Sequence, residues 1–335
     1  MPRLRHTLFG SSAYLIYVLI VLIAVITAIS PRFFSAENFF AILRSCSYLG
    51  IFAIGFLFVL LSGGLDISFN AVATVGQYLL GVALIQMPGI PWPFVVLIPL
   101  VVGILLGCLN AVLIHKLNAP PLIITIAMQN VLYGILQFVT RGTWLYNFPK
   151  WFSTFPLTLV VSFQNENGVK YGLSILTIIW FAVAVFAAII LNRTKQGRRL
   201  YAMGGNLEAA RRAGINVLHY RLFAYGFLGF SAGLGGLIHT FVTQTVAPNT
   251  LVGTEFNVVA AVVLGGASLF GGSGSVSGTV LGVILMAVIS NGLTIMKVPA
   301  YWHQVFIGAI LIGSMAITTA SERRATKKDR IRYVE

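Results

Sequence analysis

Residues 92–114 read WPFVVLIPLVVGILLGCLNAVLI, and this stretch decides the fold class. It contains no Asp, Glu, Lys, Arg or His. A helix rises 1.5 Å per residue, so this stretch would be about 34 Å long as a helix, enough to cross a bilayer core of about 30 Å. The stretch therefore predicts a membrane-spanning helix.

The rest of the chain has the same character. Of its 335 residues, 58% are hydrophobic and only 9% are charged, whereas a soluble domain carries about 25% charged residues. Ten apolar runs predict an all-α polytopic membrane protein with eight to ten spans. These runs cover residues 11–29, 45–62, 69–87, 92–114, 119–140, 172–192, 222–241, 256–270, 274–292 and 302–320. The run at 256–270 is short and bounded by glycine, and the Ser62-Gly63-Gly64 break is typical of a discontinuous helix.

The formal charge of +14 could suggest nucleic acid, but the Lys and Arg residues cluster between apolar runs. Cytoplasmic loops of membrane proteins collect these residues, so no nucleic-acid partner is predicted. Most of the 22 basic residues lie at the two termini and in the loop 193–221. This predicts cytoplasmic termini and a single membrane domain over 1–320, followed by a basic cytoplasmic tail over 321–335. The outer loop of about 141–171 is rich in Trp and Tyr, as expected at a membrane interface.

Glycine spacing predicts how the helices pack. Gly103 and Gly107 are four residues apart, as are Gly274, Gly278 and Gly282, and such spacing lets helices approach closely in lipid. A weak internal echo links residues 61–65 (LSGGL) with residues 264–268 (LGGAS), as two related halves would produce.

Several functional signatures are missing. The apolar runs contain almost no ionisable residue apart from Asp66, Glu255 and His239 at breaks or ends, whereas ion-coupled carriers usually need such groups. No Gly-Lys-Ser/Thr phosphate loop, zinc motif or nucleophile elbow is present. No catalytic or metal site is predicted, and a membrane enzyme is poorly supported.

The loop 193–221 contains a short, well-marked helix. Asn206 is a good N-cap, Glu208 suits the helix start, and Gly214 suits a left-handed C-terminal turn. A helix this short is unstable alone, so it must dock on its own protein or on a partner.

These residues carry a resemblance to a known family. Glu208-Ala209-Ala210, followed by Gly214, is similar to the EAA loop of bacterial ABC importer permeases. Residues 61–68, 204–206, 214–215 and 265–278 occur in the order seen in ribose-type sugar permeases, over nearly the full length. Two departures are Ser68-Phe69-Asn70, where the family usually has Ser-Val-Gly, and the absence of the longer EAA ending Ile-x-Leu-Pro.

The resemblance implies a permease subunit that forms the pathway of a binding-protein-dependent, ATP-driven importer for a simple sugar in the bacterial inner membrane. The expected partners are a cytoplasmic ATP-binding subunit that carries ATP and Mg, a second permease subunit, an extracytoplasmic sugar-binding protein and the lipid bilayer. This chain itself would hold no cofactor. The residues expected to couple to the ATPase are Gly205, Asn206, Glu208, Ala209, Ala210 and Gly214.

A sugar crossing an apolar bundle needs hydrogen-bond partners, because stripping water from its hydroxyls is costly. Each polar residue inside the runs could line this pathway or join helices. Asp66 could alternatively cap the helix after the break, Glu255 could simply begin the next helix, and His239 is interpreted as a packing residue. The pathway candidates are Asp66, Ser68, Asn70, Gln77, Asn110, Thr125, Gln129, Asn130, Asn257 and Asn291.

Two other transport functions stay open at this stage. A permease for branched-chain amino acids or nucleosides would share the fold and the coupling loop. An ion-coupled secondary carrier is disfavoured by the scarcity of charges within the membrane runs.

Overall fold

The computed structural model describes residues 4–165, 167–299, 301–309 and 312–313. The described chain is mostly helical. Its longer helices are α1 (Leu4–Ile29), α2 (Ala36–Leu61), α3 (Phe69–Gln86), α4 (Trp92–Leu117), α5 (Pro121–Thr140), α7 (Ile175–Arg193), α10 (Val217–Thr243) and α12 (Val276–Ile295). Shorter helices are α6 (Lys150–Thr154), α8 (Lys195–Gly205), α9 (Leu207–Arg212) and α11 (Glu255–Leu264).

Seven of these helices, α2, α3, α4, α5, α7, α10 and α12, are long and apolar enough to cross a membrane. The polytopic helical fold is therefore confirmed. The predicted run at 256–270 is shorter than expected, because α11 ends at Leu264 before Gly265 and Gly266. Residues 301–309 are helical, while most of the remaining 302–320 run and the tail 321–335 lie outside the described residues.

Helices α2 and α10 form the buried centre of the bundle, and small residues let α4 pack against α10. A Cβ atom on Gly103 would overlap the carbonyl oxygen of Gly229, and one on Gly107 would overlap that of Tyr225. In the same way, Gly282 packs on the carbonyl of Ala261. The glycine spacing thus marks helix contacts, as the sequence predicted.

The internal echo corresponds to a shared backbone geometry. Residues 61–65 and 264–268 each end a helix with a left-handed glycine, Gly63 at φ +78° and Gly266 at φ +84°. In both, the next amide donates to a carbonyl five residues earlier, the pattern of a Schellman helix end. These bonds are Gly64 N–H to Val59 O (3.1 Å) and Ala267 N–H to Val262 O (3.2 Å).

The end of the bundle that carries residues 193–221 is called the basic-loop end here. The opposite end holds an element that the sequence did not predict, an antiparallel hairpin of β1 (Leu159–Gln164) and β2 (Lys170–Ser174). The segment before it is also ordered, since Trp151 Nε1 donates to the carbonyl of Pro88 (2.7 Å). The loop expected at 141–171 therefore has ordered structure, and its Val, Phe and Tyr residues pair across the two strands.

Candidate coupling surface and polar sites

The short helix in the basic loop forms as predicted. Asn206 caps α9, with its side-chain oxygen accepting from Ala209 N–H at 2.9 Å, and Gly214 adopts φ +77° just beyond the helix end. Glu208 lies in the first turn, where a negative charge is favourable. Ala210 is buried against the protein, whereas Gly205, Asn206, Glu208, Ala209 and Gly214 are exposed. The helix packs on its own protein through the face that carries Ala210, and its other face is exposed.

The end of α8, just before α9, packs on the break between α2 and α3 and on the segment between α11 and α12. This contact is called the glycine junction (Gly63, Gly204, Gly271 and Gly272). The amide of Gly272 donates to the carbonyl of Leu61 at 3.3 Å. A Cβ atom on Gly271 would lie 2.7 Å from the Cα of Gly63, and one on Gly63 would lie 3.2 Å from the Cα of Gly204. Only glycine allows three backbones to meet this closely.

A second contact joins α8 to the segment before α12, because the Tyr201 hydroxyl donates a hydrogen bond to the carbonyl of Gly274 at 2.8 Å. The sequence showed glycine pairs at all three places, but it could not show that they meet. The sequence offers one indication of these places. Two of the glycine pairs directly follow an apolar run, and the third directly precedes the capped helix.

Asp66 orders the break between α2 and α3. One carboxylate oxygen accepts from the Ser68 amide and hydroxyl, both at 2.7 Å, and the other accepts from Asn110 Nδ2 at 3.2 Å. Asn110 Nδ2 also donates to the Ser68 hydroxyl at 2.8 Å. These bonds precede the first turn of α3, so Asp66 fixes the chain just before the helix. The predicted alternative, in which Asp66 caps an amide of the helix itself, is not observed. Asp66, Ser68 and Asn110 are all buried.

A second buried polar cluster surrounds Glu255, the first residue of α11. Asn70 Nδ2 donates to one carboxylate oxygen of Glu255 at 3.2 Å, and Gln129 Nε2 donates to the other at 3.2 Å. Asn70 Nδ2 also contacts Thr254 Oγ1 (2.8 Å) and the Leu251 carbonyl (3.1 Å). Glu255 does begin a helix, as the sequence indicated, but its contacts with α3 and α5 were not predicted.

The remaining candidates are spread over the bundle. Thr125 contacts the Leu65 carbonyl at 3.4 Å, and the side-chain oxygen of Gln77 lies 3.2 Å from Nδ1 of His239. His239 also packs against the ring of Tyr48, as expected for a packing residue. Asn257 and Asn291 line a cavity of about 280 Å³ between α2, α11 and α12.

Helix α5 is the least buried of the seven helices that are long and apolar enough to cross a membrane. Only 17% of its apolar stretch is buried, against 72% for α2. Large apolar side chains on its free face include Val131 (52% exposed) and Ile135 (58% exposed). Asn130 is exposed beside them and bonds only to the Ile126 carbonyl at 3.1 Å among the described residues.

An apolar bundle with seven helices long enough to cross a bilayer defines the class of multi-pass membrane proteins. The chain belongs to the family described as "Branched-chain amino acid transport system / permease component", which matches residues 38–315. It is therefore a transport subunit of that family.

Three relatives match nearly the whole chain. The ribose import permease protein RbsC of Haemophilus influenzae is 34% identical over 88% of this chain and 88% of its own. RbsC of Escherichia coli K12 is 32% identical over 88% of this chain and 89% of its own. The autoinducer 2 import system permease protein LsrC of Salmonella choleraesuis is 29% identical over 92% of this chain and 86% of its own. No solved structure matches the chain at a significant level.

Proposed function

We propose that this chain is the membrane permease subunit of an ATP-driven importer for a simple sugar. The observation that carries the proposal is the match over 88% of the chain to permeases named for ribose import. The family description names branched-chain amino acids, so the family includes more than one substrate class. The named relatives favour the sugar over the amino acid or nucleoside alternatives.

The exposed face of α9 is the proposed docking surface for a separate cytoplasmic ATPase subunit, which would carry ATP and Mg. The exposure of Gly205, Asn206, Glu208, Ala209 and Gly214 supports this assignment. Ala210 would hold α9 on the permease. Closure of the ATPase would move α9, and the glycine junction would pass this motion to the breaks before α3 and α12.

A second permease subunit is the proposed partner of the free face of α5, with the pathway between the two subunits. The exposure of Asn130 within an apolar helix supports this, because its bond to the Ile126 carbonyl leaves other polar atoms of the amide facing hydrocarbon, which is costly. Gln129 lies next to it and is half-buried. Asn70 is linked to Gln129 through Glu255, because both amides donate hydrogen bonds to its carboxylate.

The basic-loop end is proposed to face the cytoplasm of a bacterium, with the chain in the inner membrane. The clustering of Lys and Arg in residues 193–221 supports this orientation. The same orientation puts both termini inside after ten spans, with one permease domain over 1–320 and a cytoplasmic tail over 321–335. An extracytoplasmic sugar-binding protein would then dock at the end that carries the β1–β2 hairpin.

Reconstitution tests the proposal directly. The chain is placed in proteoliposomes with the ATPase encoded beside it, and a panel of binding proteins loaded with labelled pentoses and hexoses is added. We expect one sugar to accumulate only when ATP is present and to stimulate ATP hydrolysis. Sustained accumulation without ATP would instead establish a secondary carrier, and stimulation only by amino acids or nucleosides would move the chain to those substrates.

A further inference from the structure

Glu255 is a buried residue, 5% exposed. Among the residues that the structure describes, the side chains that bond its carboxylate are Asn70 and Gln129, both neutral amides. A buried carboxylate without a countercharge is costly, and an ionisable group inside a membrane bundle usually marks a functional site. Its position at the start of α11 offsets part of this cost, since a helix N-terminus favours negative charge.

The two carboxylate oxygens are held differently. Asn70, which is fully buried, holds one oxygen while it also contacts Thr254 and Leu251, so this side of the carboxylate is fixed in place. Gln129 holds the other oxygen with a single bond at 3.2 Å. Because Gln129 is half-buried at the border of the exposed α5 face, this second bond is the one that a solute on that face can replace.

One of the amides that hold the carboxylate carries an unused acceptor. Within the described part of the chain, Asn70 Oδ1 is buried and has no partner. A carboxylate and two planar amides together offer several acceptors and donors to a solute with many hydroxyls.

We infer that Glu255 is a specificity-determining residue that accepts hydrogen bonds from sugar hydroxyls in the translocation pathway. Asn70 is its positioning residue, and Gln129 is the exchangeable partner that the sugar displaces. The negative charge makes these hydrogen bonds stronger than bonds to a neutral acceptor. They offset the free-energy cost of removing water from the sugar hydroxyls. This inference rests on the proposed sugar-import function and adds to it the group that recognises the substrate.

The test compares Glu255→Gln with the wild type in the reconstituted importer, with D-ribose as probe, or with the first sugar of the panel that the wild type accumulates. The matched control is Glu37→Gln, the same chemical change at a carboxylate that bonds Asn165 near the β1–β2 hairpin. We expect Glu255→Gln to keep its assembly and its ATP hydrolysis stimulated by loaded binding protein. Sugar accumulated per ATP should fall by about tenfold or more. Glu255→Asp should restore part of this ratio, and Glu37→Gln should leave it unchanged.

An unchanged ratio in a well-assembled Glu255→Gln complex would overturn the inference while leaving the sugar-import function in place. Failure of the wild type to accumulate any sugar would instead overturn the function. If Glu255→Gln does not assemble, Gln129→Cys provides a second test by maleimide labelling. Labelling should slow during turnover with the transported sugar and not with its mirror-image sugar, and equal rates would contradict the assigned site.

Discussion

The amide of Gly272, between α11 and α12, donates a hydrogen bond to the carbonyl of Leu61 at the end of α2, 3.3 Å away. Gly204, the penultimate residue of α8, packs into the same place, where a Cβ atom would overlap the Leu61 carbonyl and lie 3.0 Å from the Gly63 amide. The element that precedes the capped helix is thus in backbone contact with both breaks. The glycine junction thus connects α8, which directly precedes α9, to the segments that lead into α3 and α12.

Gly204→Ala should destabilise the protein by about 1–3 kcal/mol, the usual cost of overpacking. Gly205→Ala is the matched control, since a Cβ atom there meets nothing within 4 Å. Thermal unfolding of the detergent-solubilised protein measures the difference. Equal melting temperatures for the two variants would mean that the junction is looser than described.

The contact between α4 and α10 makes a second prediction. Gly103→Ala should cost about 1–3 kcal/mol, because the added methyl meets the Gly229 carbonyl. Gly134→Ala on α5 has open space and should be neutral or slightly stabilising, because alanine favours helix. Folded yield and melting temperature report both effects. A loss at Gly134 as large as that at Gly103 would contradict the assigned packing.

Removal of the cap of α9 tests its role in coupling. Asn206→Ala loses the bond to Ala209 N–H and should cost about 1 kcal/mol locally, so transport per hydrolysed ATP should fall. Asn216→Ala removes the same kind of cap from α10, where the side chain accepts from His219 N–H. This control should lower stability to a similar degree but leave ATPase association intact. Equal transport defects in the two variants would argue against a specific role for α9.

The Asp66 cluster is expected to be structural. Asp66→Asn replaces an acceptor with a donor opposite Asn110 and should lower stability by about 1–3 kcal/mol. Because both carboxylate oxygens are already used and the residue is 2% exposed, uptake per folded complex should change little. The measurement pairs melting temperature with uptake normalised to assembled complex. A large uptake defect with normal stability would instead favour direct contact with the substrate.

The features that depend on neighbouring residues in the chain were predictable. Apolar length predicted the seven helices that are long and apolar enough to cross a membrane, whereas the full count of eight to ten stays a prediction. The order Asn206, Glu208, Gly214 predicted a helix with the cap that is observed. Four-residue glycine spacing marked the face that joins α4 to α10. In each case the physical cause lies within one or two helical turns.

Contacts between distant segments were not predictable. Asn70 and Glu255 are 185 residues apart, and nothing in either local sequence indicates that their side chains bond. The sequence position of Glu255 was already explained by the preference for an acid at a helix start. Its bonds to Asn70 and Gln129 were therefore not predicted. The β1–β2 hairpin was missed because its aromatic residues suit a membrane interface as well as a strand.

The bridge between Leu145 and Val246, with backbone bonds of 2.8 and 2.9 Å in both directions, ties the segment after α5 to the segment after α10. The bridge attaches the hairpin end of α10 to the segment after α5. With 27 residues, α10 is about 40 Å long, so a tilt of about 5° about this attached end would move its far end by about 3.5 Å. A small rotation at the fastened end thus becomes a displacement as wide as a hydrogen bond at the basic-loop end.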